Sequence, residues 1–310
     1  MTEHPSPSPA DAAIPQGPKR CGQIAIVGRP NVGKSTLLNR LVGQKISITA
    51  RRPQTTRYQI LGIRNEGAAQ MLFIDTPGLQ RGAKHQLGRH MNSEISAALA
   101  GADLCVLVTE GVKWLDADEQ VLDALRGYGG PVVWVINKLD RLADKRALLP
   151  VIDSISGKLK FAVVVPVAGR TGNNVDHLAM TLAPLLPEAE HHFPEDELTD
   201  RSARFLAAEF IREKLMRLLG EELPYSLGVV IDDFKQEEQI ARIHATIWVS
   251  RPGHKAIVVG SKGQVLKLVG EQARKDLEAL LGCKVFLRTW VKVKENWMQD
   301  PSALKELGFG

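Results

Sequence analysis

Five short runs between residues 23 and 167, QIAIVG, MLFIDT, LCVLVT, PVVWVIN and FAVVVPV, are apolar at nearly every position. A strand that faces water on one side alternates; these runs have no polar side and predict strands buried on both faces. The stretches between them read as helical. Strands and helices in that alternation predict an α/β fold, a mostly parallel sheet with helices on both faces. Such sheets bind ligands at the carboxyl ends of their strands. The loops that follow the runs are therefore where chemistry is expected.

Beyond Leu186 the rhythm fails. Pro184, Pro187 and Pro194 interrupt the chain, and acids and histidines replace the apolar positions. A solvated linker over 191–200 accounts for His191 and His192 better than a metal site does. After it, SARFLAAEFIREKLMRLLG predicts a helix stopped by Gly220. ARIHATIWVS alternates, with Ile243, Ala245, Ile247 and Val249 opposite Arg242, His244, Thr246 and Trp248. KVFLRTWVKVK alternates too, with Val285, Leu287, Val291 and Val293 opposite Lys284, Phe286, Arg288, Trp290, Lys292 and Lys294. Between them, Val265, Val269, Ala273, Leu277 and Leu280 form a helical stripe. The second half is a small α+β domain over 201–310, following an α/β domain over 21–190. Residues 1–20, rich in Pro, Ala and Ser, lack the basic-then-apolar order of a signal peptide and are expected to be a disordered tail.

The net charge of +5 decides little, but its distribution matters. Residues 251–294 hold ten Lys/Arg against three Asp/Glu, whereas 196–250 hold seven against eleven. One basic block on a mixed chain points to a polyanion site on one face. Cys21, Cys105 and Cys283 are odd in number and widely spaced, which argues for a reducing, cytoplasmic compartment and against disulfides or zinc. No apolar run approaches a membrane span.

The first run ends in Gly28-Arg29-Pro30-Asn31-Val32-Gly33-Lys34-Ser35-Thr36, which fits GxxxxGK[ST] between a strand and a helix. The glycines let backbone N–H groups turn inward around phosphate oxygens, and the helix that follows aims its positive end at the same anion. Lys34 is expected at the β- and γ-phosphates and Ser35 on Mg2+. Asp75-Thr76-Pro77-Gly78 closes the second run; Asp75 can hold Mg2+ through water, and the Gly78 N–H can touch the γ-phosphate. Asn137-Lys138-Leu139-Asp140 closes the fourth. The Asp140 carboxylate can accept from guanine N1–H and its 2-amino group, a pair adenine does not offer, and such a site rejects the wrong base strongly. Asn137 can support the base edge and the phosphate loop, and the Lys138 stem can lie over the ring. GTP or GDP is therefore the expected ligand. Gln54-Thr55-Thr56-Arg57 lies where a switch segment belongs; Thr56 first, and Thr55 second, is expected to complete the Mg2+ shell when the γ-phosphate is present. Lys34, Thr56 and Gly78 form the expected catalytic set.

These motifs, with QKISIT, HHFPED, TDRS, IREKLMRLLGEELPYS, GSKG, EQARKD and WVKVKENW, resemble the Era family within the translation-factor-related GTPases. The resemblance covers nearly the whole chain after the tail. It implies a P-loop GTPase domain joined to a type II KH domain with a C-terminal extension, and slow hydrolysis of GTP. The family's last base-contacting loop usually reads Ser-Ala; here Ala168-Gly169 stand there, and the Gly169 N–H can still meet guanine O6. Leu79 follows DxxG where many GTPases carry glutamine, so water must be positioned in another way. Asn31 is the residue type that helps related GTPases bind potassium beside the phosphates, where K+ neutralises developing charge.

Gly260-Ser261-Lys262-Gly263 precedes the long predicted helix. In KH domains a GxxG loop clamps a single-stranded backbone. Arg251, Lys255, Lys267, Lys292 and Lys294 extend the basic track, and Trp290 and Trp297 are candidates for stacking on bases or for packing. The residues alone point to single-stranded nucleic acid. The resemblance implies the 3′ end of 16S ribosomal RNA, with roles in its processing and in 30S subunit assembly, for a monomer. A GTPase whose basic face meets anionic lipid on the cytoplasmic side of the cell membrane is the rival reading, and a P-loop kinase or ATPase a third.

Overall fold

The computed structural model describes residues 17–50, 52, 55–77, 96–220 and 223–308. Of the positions singled out above, 1–16, Gln54, Gly78 and Leu79 lie outside the described residues. The first part is a six-stranded sheet in the order β2-β3-β1-β4-β5-β6. Its strands are β1 (Arg20–Val27), β2 (Ile60–Glu66), β3 (Ala69–Asp75), β4 (Leu104–Glu110), β5 (Val132–Asn137) and β6 (Val163–Pro166). All neighbours run parallel except the β2–β3 hairpin. The five apolar runs are β1 and β3 to β6. Helices α1 (Lys34–Val42) and α4 (Val175–Leu182) bury Leu37, Leu38, Leu178 and Leu182 on one face. Helices α2 (Asp116–Leu125) and α3 (Leu148–Ser156) bury Leu122 and Ile155 on the other.

Strand β2 escaped the sequence reading because Gly62 breaks its apolar run. A Cβ there would meet Leu38 Cδ1 at 2.6 Å and Val42 Cγ2 at 2.8 Å, so the glycine lets α1 approach the sheet closely.

The stretch 191–200 is a strap along the β2–β3 edge, pinned to it. Gln70 Oε1 accepts from the backbone N–H groups of His192 and Phe193, and Ile63 N donates to Leu198 O. His191 Nε2 lies 3.0 Å from Ala68 O, and no cluster of metal-binding side chains occurs among the described residues.

The second part has a three-stranded sheet, β7 (Gly228–Gln236), β8 (Ile240–Val249) and β9 (Lys284–Val293), with β7–β8 antiparallel and β8–β9 parallel. Helices α5 (Ala203–Leu218), α6 (Pro252–Val259) and α7 (Gln264–Leu281) pack on the face of Ile243, Ala245 and Ile247. The opposite face is covered at one end only. There α8 (Pro301–Glu306) and the turn at Trp297 enclose Trp248. Trp297 is fully buried, which makes it a core residue and removes it as a base-stacking candidate. No helix among the described residues is long and apolar enough to cross a membrane.

Candidate functional site

The phosphate loop leaves β1 at Gly28 and enters α1 at Lys34. Two glycines are obligatory for its path. Gly28 has φ 153° and Gly33 φ 101°; a Cβ would lie 2.4 Å from Val108 O at the first and 2.5 Å from Asn137 Nδ2 at the second. The buried Lys34 ammonium donates to Gly28 O (2.8 Å) and Arg29 O (3.2 Å), drawing the loop into a ring. Burial pushes its pKa down to about 8, against the pull of the Asp75 carboxylate. Arg29 turns its side chain away from the loop, onto Asp118 Oδ2 (2.9 Å) and Glu110 (3.3 Å), so only its backbone is left to face a phosphate. Val32 is buried, and its carbonyl accepts from Asn137 Nδ2. Pro30, Asn31, Ser35 and Thr36 line the cleft, whose volume is about 1040 Å³.

Asp75 ends β3 under this loop, fully buried. Its Oδ2 accepts from Ser35 Oγ (2.6 Å) and Ser47 Oγ (2.9 Å), and Ser35 Oγ is 2.8 Å from Thr56 Oγ1. Its Oδ1 is buried without a hydrogen-bond partner. Burial raises the carboxyl pKa, while the Ser35 hydrogen bond, the Lys34 charge and the Ser47 and Thr56 hydroxyls oppose the rise. A buried carboxylate with one orphaned oxygen beside three hydroxyls is a hard-oxygen donor set, which fits Mg2+. Thr56 is in this cluster; Thr55 is not, since its hydroxyl donates to Arg52 O. Ser47 was not anticipated as a site residue, because no spacing in the sequence marks it. Thr76 donates to Ile26 O and Pro77 is buried, so both shape the strand end.

At the far end of the cleft, Asn137 holds two loops together. Its Oδ1 accepts from Gly169 N (2.9 Å) and from Lys138 N. The amide expected to face guanine O6 is thus engaged by Asn137 in this structure. Lys138 has φ 65° and donates to Asn31 O and to Glu110, tying the two loops. Leu139 is buried and its N–H donates to Val167 O; Ala168 is buried beside it. Asp140 accepts from Arg170, a partner the motif did not reveal.

Residues 23–138 match the family of 50S ribosome-binding GTPases, and residues 222–298 match the KH domain family. The chain is 50% identical to the GTPase Era of Pseudomonas aeruginosa (strain LESB58), over 96% of this chain and 97% of that protein. It is 50% identical to that of Pseudomonas syringae pv. syringae, over 94% and 97%. The chain belongs to the Era family of GTPases. Among solved structures, a point variant of Aquifex aeolicus Era bound to GDP·AlF4− superposes with a TM-score of 0.88 at 39% identity, covering 94% of this chain and 99% of that one. Era in complex with MgGDPNP and nucleotides 1506–1542 of 16S ribosomal RNA gives the same values.

In this Era-family chain the KH loop sits between α6 and α7. Gly260 has φ 72°, and a Cβ there would meet Val265 Cγ2 at 2.4 Å; Gly263 has φ 77° and opens α7. Ser261 and Lys262 are exposed at the tip. A groove of about 400 Å³ runs from Gly263 past Lys267, Gly270 and Arg274 to Leu287 and Thr289 on β9. Arg251 and Lys255 are exposed at the start of α6. The predicted basic track divides here. Lys292 and Lys294 lie on the opposite face of β9, and Lys294 is committed to Glu306 and to the Trp248 ring at 3.6 Å.

The two halves are joined next to the nucleotide cleft. The fully buried Glu213 of α5 accepts from Thr49 N (2.8 Å), Lys45 (2.5 Å), Lys214 (3.0 Å) and Arg217 (2.9 Å). Arg212, bound to Glu209, donates to Thr55 O at 2.6 Å. Helical spacing alone places these residues on α5; it gives no sign that they meet residues 45–55.

Proposed function

We propose that the chain is a GTP-operated switch that loads its KH domain onto the 3′ end of 16S ribosomal RNA, and so assists processing of that RNA and assembly of the 30S subunit. The observation that carries this reading is the double attachment of residues 55–56. The Thr56 hydroxyl joins Ser35 and Asp75, while the carbonyl of Thr55 accepts from Arg212 in the helix that packs on the KH sheet. Whatever moves the first attachment is felt at the second. Support also comes from relatives. A point variant of Era has been captured with GDP·AlF4−, and Era with MgGDPNP and a 16S ribosomal RNA segment.

In this reading the loop amides of Gly28 to Ser35 and the Lys34 ammonium bind the phosphates. Asp140 selects guanine by accepting from its N1–H and 2-amino group. Ser35, Thr56 and Asp75 would hold Mg2+, which when bound offsets charge on the β- and γ-phosphoryl oxygens. Thr56 and Gly78 sense the γ-phosphate, and Leu79 keeps intrinsic hydrolysis slow because it cannot orient water. K+ beside Asn31 supplements the charge stabilisation. The loop Gly260–Gly263 clamps the RNA backbone, with Lys262, Lys267, Lys255 and Arg251 supplying positive charge. The protein works as a cytoplasmic monomer.

The test is a titration in magnesium-containing buffer with GTP and ATP, followed by binding of an RNA copied from the 3′ end of 16S ribosomal RNA. GTP is preferred, and it changes RNA affinity. Equal affinity for ATP overturns the nucleotide half of the proposal, and RNA affinity blind to nucleotide overturns the switch. Salt-sensitive binding to anionic vesicles without preference for any RNA sequence would favour the lipid-facing alternative.

A further inference from the structure

Strand β9 is an edge strand, and its alternation gives it two working faces. Leu287 and Thr289 point into the groove at the GxxG loop. Phe286, Arg288 and Trp290 point the other way, out of the sheet. Phe286 is 46% exposed and Trp290 42% exposed. They are the two exposed aromatic residues among the described large hydrophobics, and they stand on one strand four residues apart, about 13 Å by strand rise. His244 of β8 sits edge-on to both rings, at 6.3 Å from Phe286 and 5.5 Å from Trp290. The Arg288 guanidinium lies 5.1 Å from the Trp290 ring centre.

The same sheet face treats its aromatics in two ways. At one end Trp248 is sealed by Trp297 and α8. Further along, nothing among the described residues covers Phe286 and Trp290. The charge along β9 is positive, while β7 brings Asp232, bound to the Thr246 hydroxyl, and Asp233, opposite His244, to the same face. Lys284, Arg288 and Lys292 share this face of β9 and form no ion pair among the described residues. The neighbouring Arg242 has only Glu237, at 3.9 Å. Upright rings among unpaired cations suit a ligand that is flat, aromatic and anionic along its backbone, which describes unpaired nucleic-acid bases better than an apolar peptide.

We propose that this face is a second RNA site, a stacking platform for unpaired bases formed by Phe286, Trp290 and His244, reached from the GxxG groove by passing around the β9 edge. The proposal rests on the RNA-binding reading above. A GxxG loop clamps about four nucleotides, so a longer single strand leaving the groove at Leu287 and Thr289 meets the platform on the reverse of the same strand. Phe286 and Trp290 each take one base, and Arg288 and Lys292 take the phosphates beside them.

The test uses the full chain and two RNAs from the 3′ end of 16S ribosomal RNA. One covers the region of nucleotides 1506–1542; the other is about five nucleotides long and fills the groove alone. Replacing Phe286→Ala together with Trp290→Ala weakens the long RNA by about tenfold or more and leaves the short one unchanged. Trp290→Tyr with Phe286 intact restores long-RNA affinity, which loss of folding would not allow. Gly260→Asp with Gly263→Asp weakens both RNAs. Photo-crosslinks from 4-thiouridine in the long RNA fall on the peptide containing Phe286 and Trp290. Unchanged long-RNA affinity in the double alanine variant overturns the platform. So does a variant that loses 30S subunits while keeping naked RNA, because that assigns the face to a protein. If the parent chain binds neither RNA, the RNA-binding reading itself fails.

Discussion

Arg170 donates from Nε (3.1 Å) and Nη2 (2.7 Å) to a single carboxylate oxygen of Asp140. A guanidinium edge presents two N–H donors side by side, as the N1–H and 2-amino edge of guanine does. In the proposed base site, base and arginine compete for one acceptor. The Arg170 side chain is largely exposed, so the pair is a weak one, worth about 0.2–1 kcal/mol.

From this competition, Arg170→Ala slows release of GDP and of GTP by about twofold to fivefold, and the effect shrinks in high salt. Stopped-flow displacement of a fluorescent GDP measures it. Faster release would show that the arginine supports the bound base.

Asp140→Asn exchanges an acceptor for a group that can also donate. Preference is expected to move from guanosine toward xanthosine nucleotides, whose ring carries a carbonyl where guanine has its amino group. The expected size is at least a hundredfold in the affinity ratio, read by competition. An unchanged GTP preference removes Asp140 from the base site.

Glu213 makes domain docking sensitive to acid. Burial pushes its carboxyl pKa up, but Lys45, the Thr49 amide and Arg217 outweigh this and hold it below its ordinary 4.5. A depressed carboxylate contributes stability above its unfolded value and loses it as pH falls through the folded one. The latch is therefore intact at neutral pH, starts to weaken below about pH 4.5 and is released as pH falls through the lower folded value. Glu213→Gln lowers stability at pH 7 by about 1–3 kcal/mol, since Lys45 and Lys214 are left to share Asp276 and the Thr49 amide loses a charged acceptor. Thermal melts from pH 3.5 to 7 should show the variant and parent converging in acid. At pH 7 the variant's RNA affinity responds less to GTP than the parent's does.

Asn31 has φ 66° on the rim of the phosphate loop, with an exposed side chain. If K+ supplements charge stabilisation there, single-turnover hydrolysis runs several-fold faster in KCl than in NaCl, and Asn31→Ala abolishes the difference. Equal rates in the two salts for the parent protein end the idea.

The nucleotide motifs were legible because each is a run of neighbours whose backbone path is local. Gly28 to Ser35 curl into a ring at the end of the strand, drawn in by the Lys34 ammonium. The second tier was hidden for the opposite reason. Ser47, Glu110, Arg170 and Glu213 act across gaps of 28 to 168 residues. Their partners are set by how elements dock, a matter on which periodicity is silent. Strand β7 was missed as well: it carries a bulge between Ile231 and Asp233 that breaks its alternation. Trp297 illustrates the same limit. It stands in a mostly polar stretch beside Met298, and it is buried by docking against Trp248 and α8.

The Tyr58 hydroxyl donates to Leu307 O at 2.9 Å, and Tyr58 stands two residues from Thr56. The stretch just after α8 is therefore fastened to the stretch that carries Thr56. A dye or crosslinker placed on α8 is not a bystander in this protein. It loads the same strut that holds Thr56, and labels for turnover assays are better placed on the far side of the sheet.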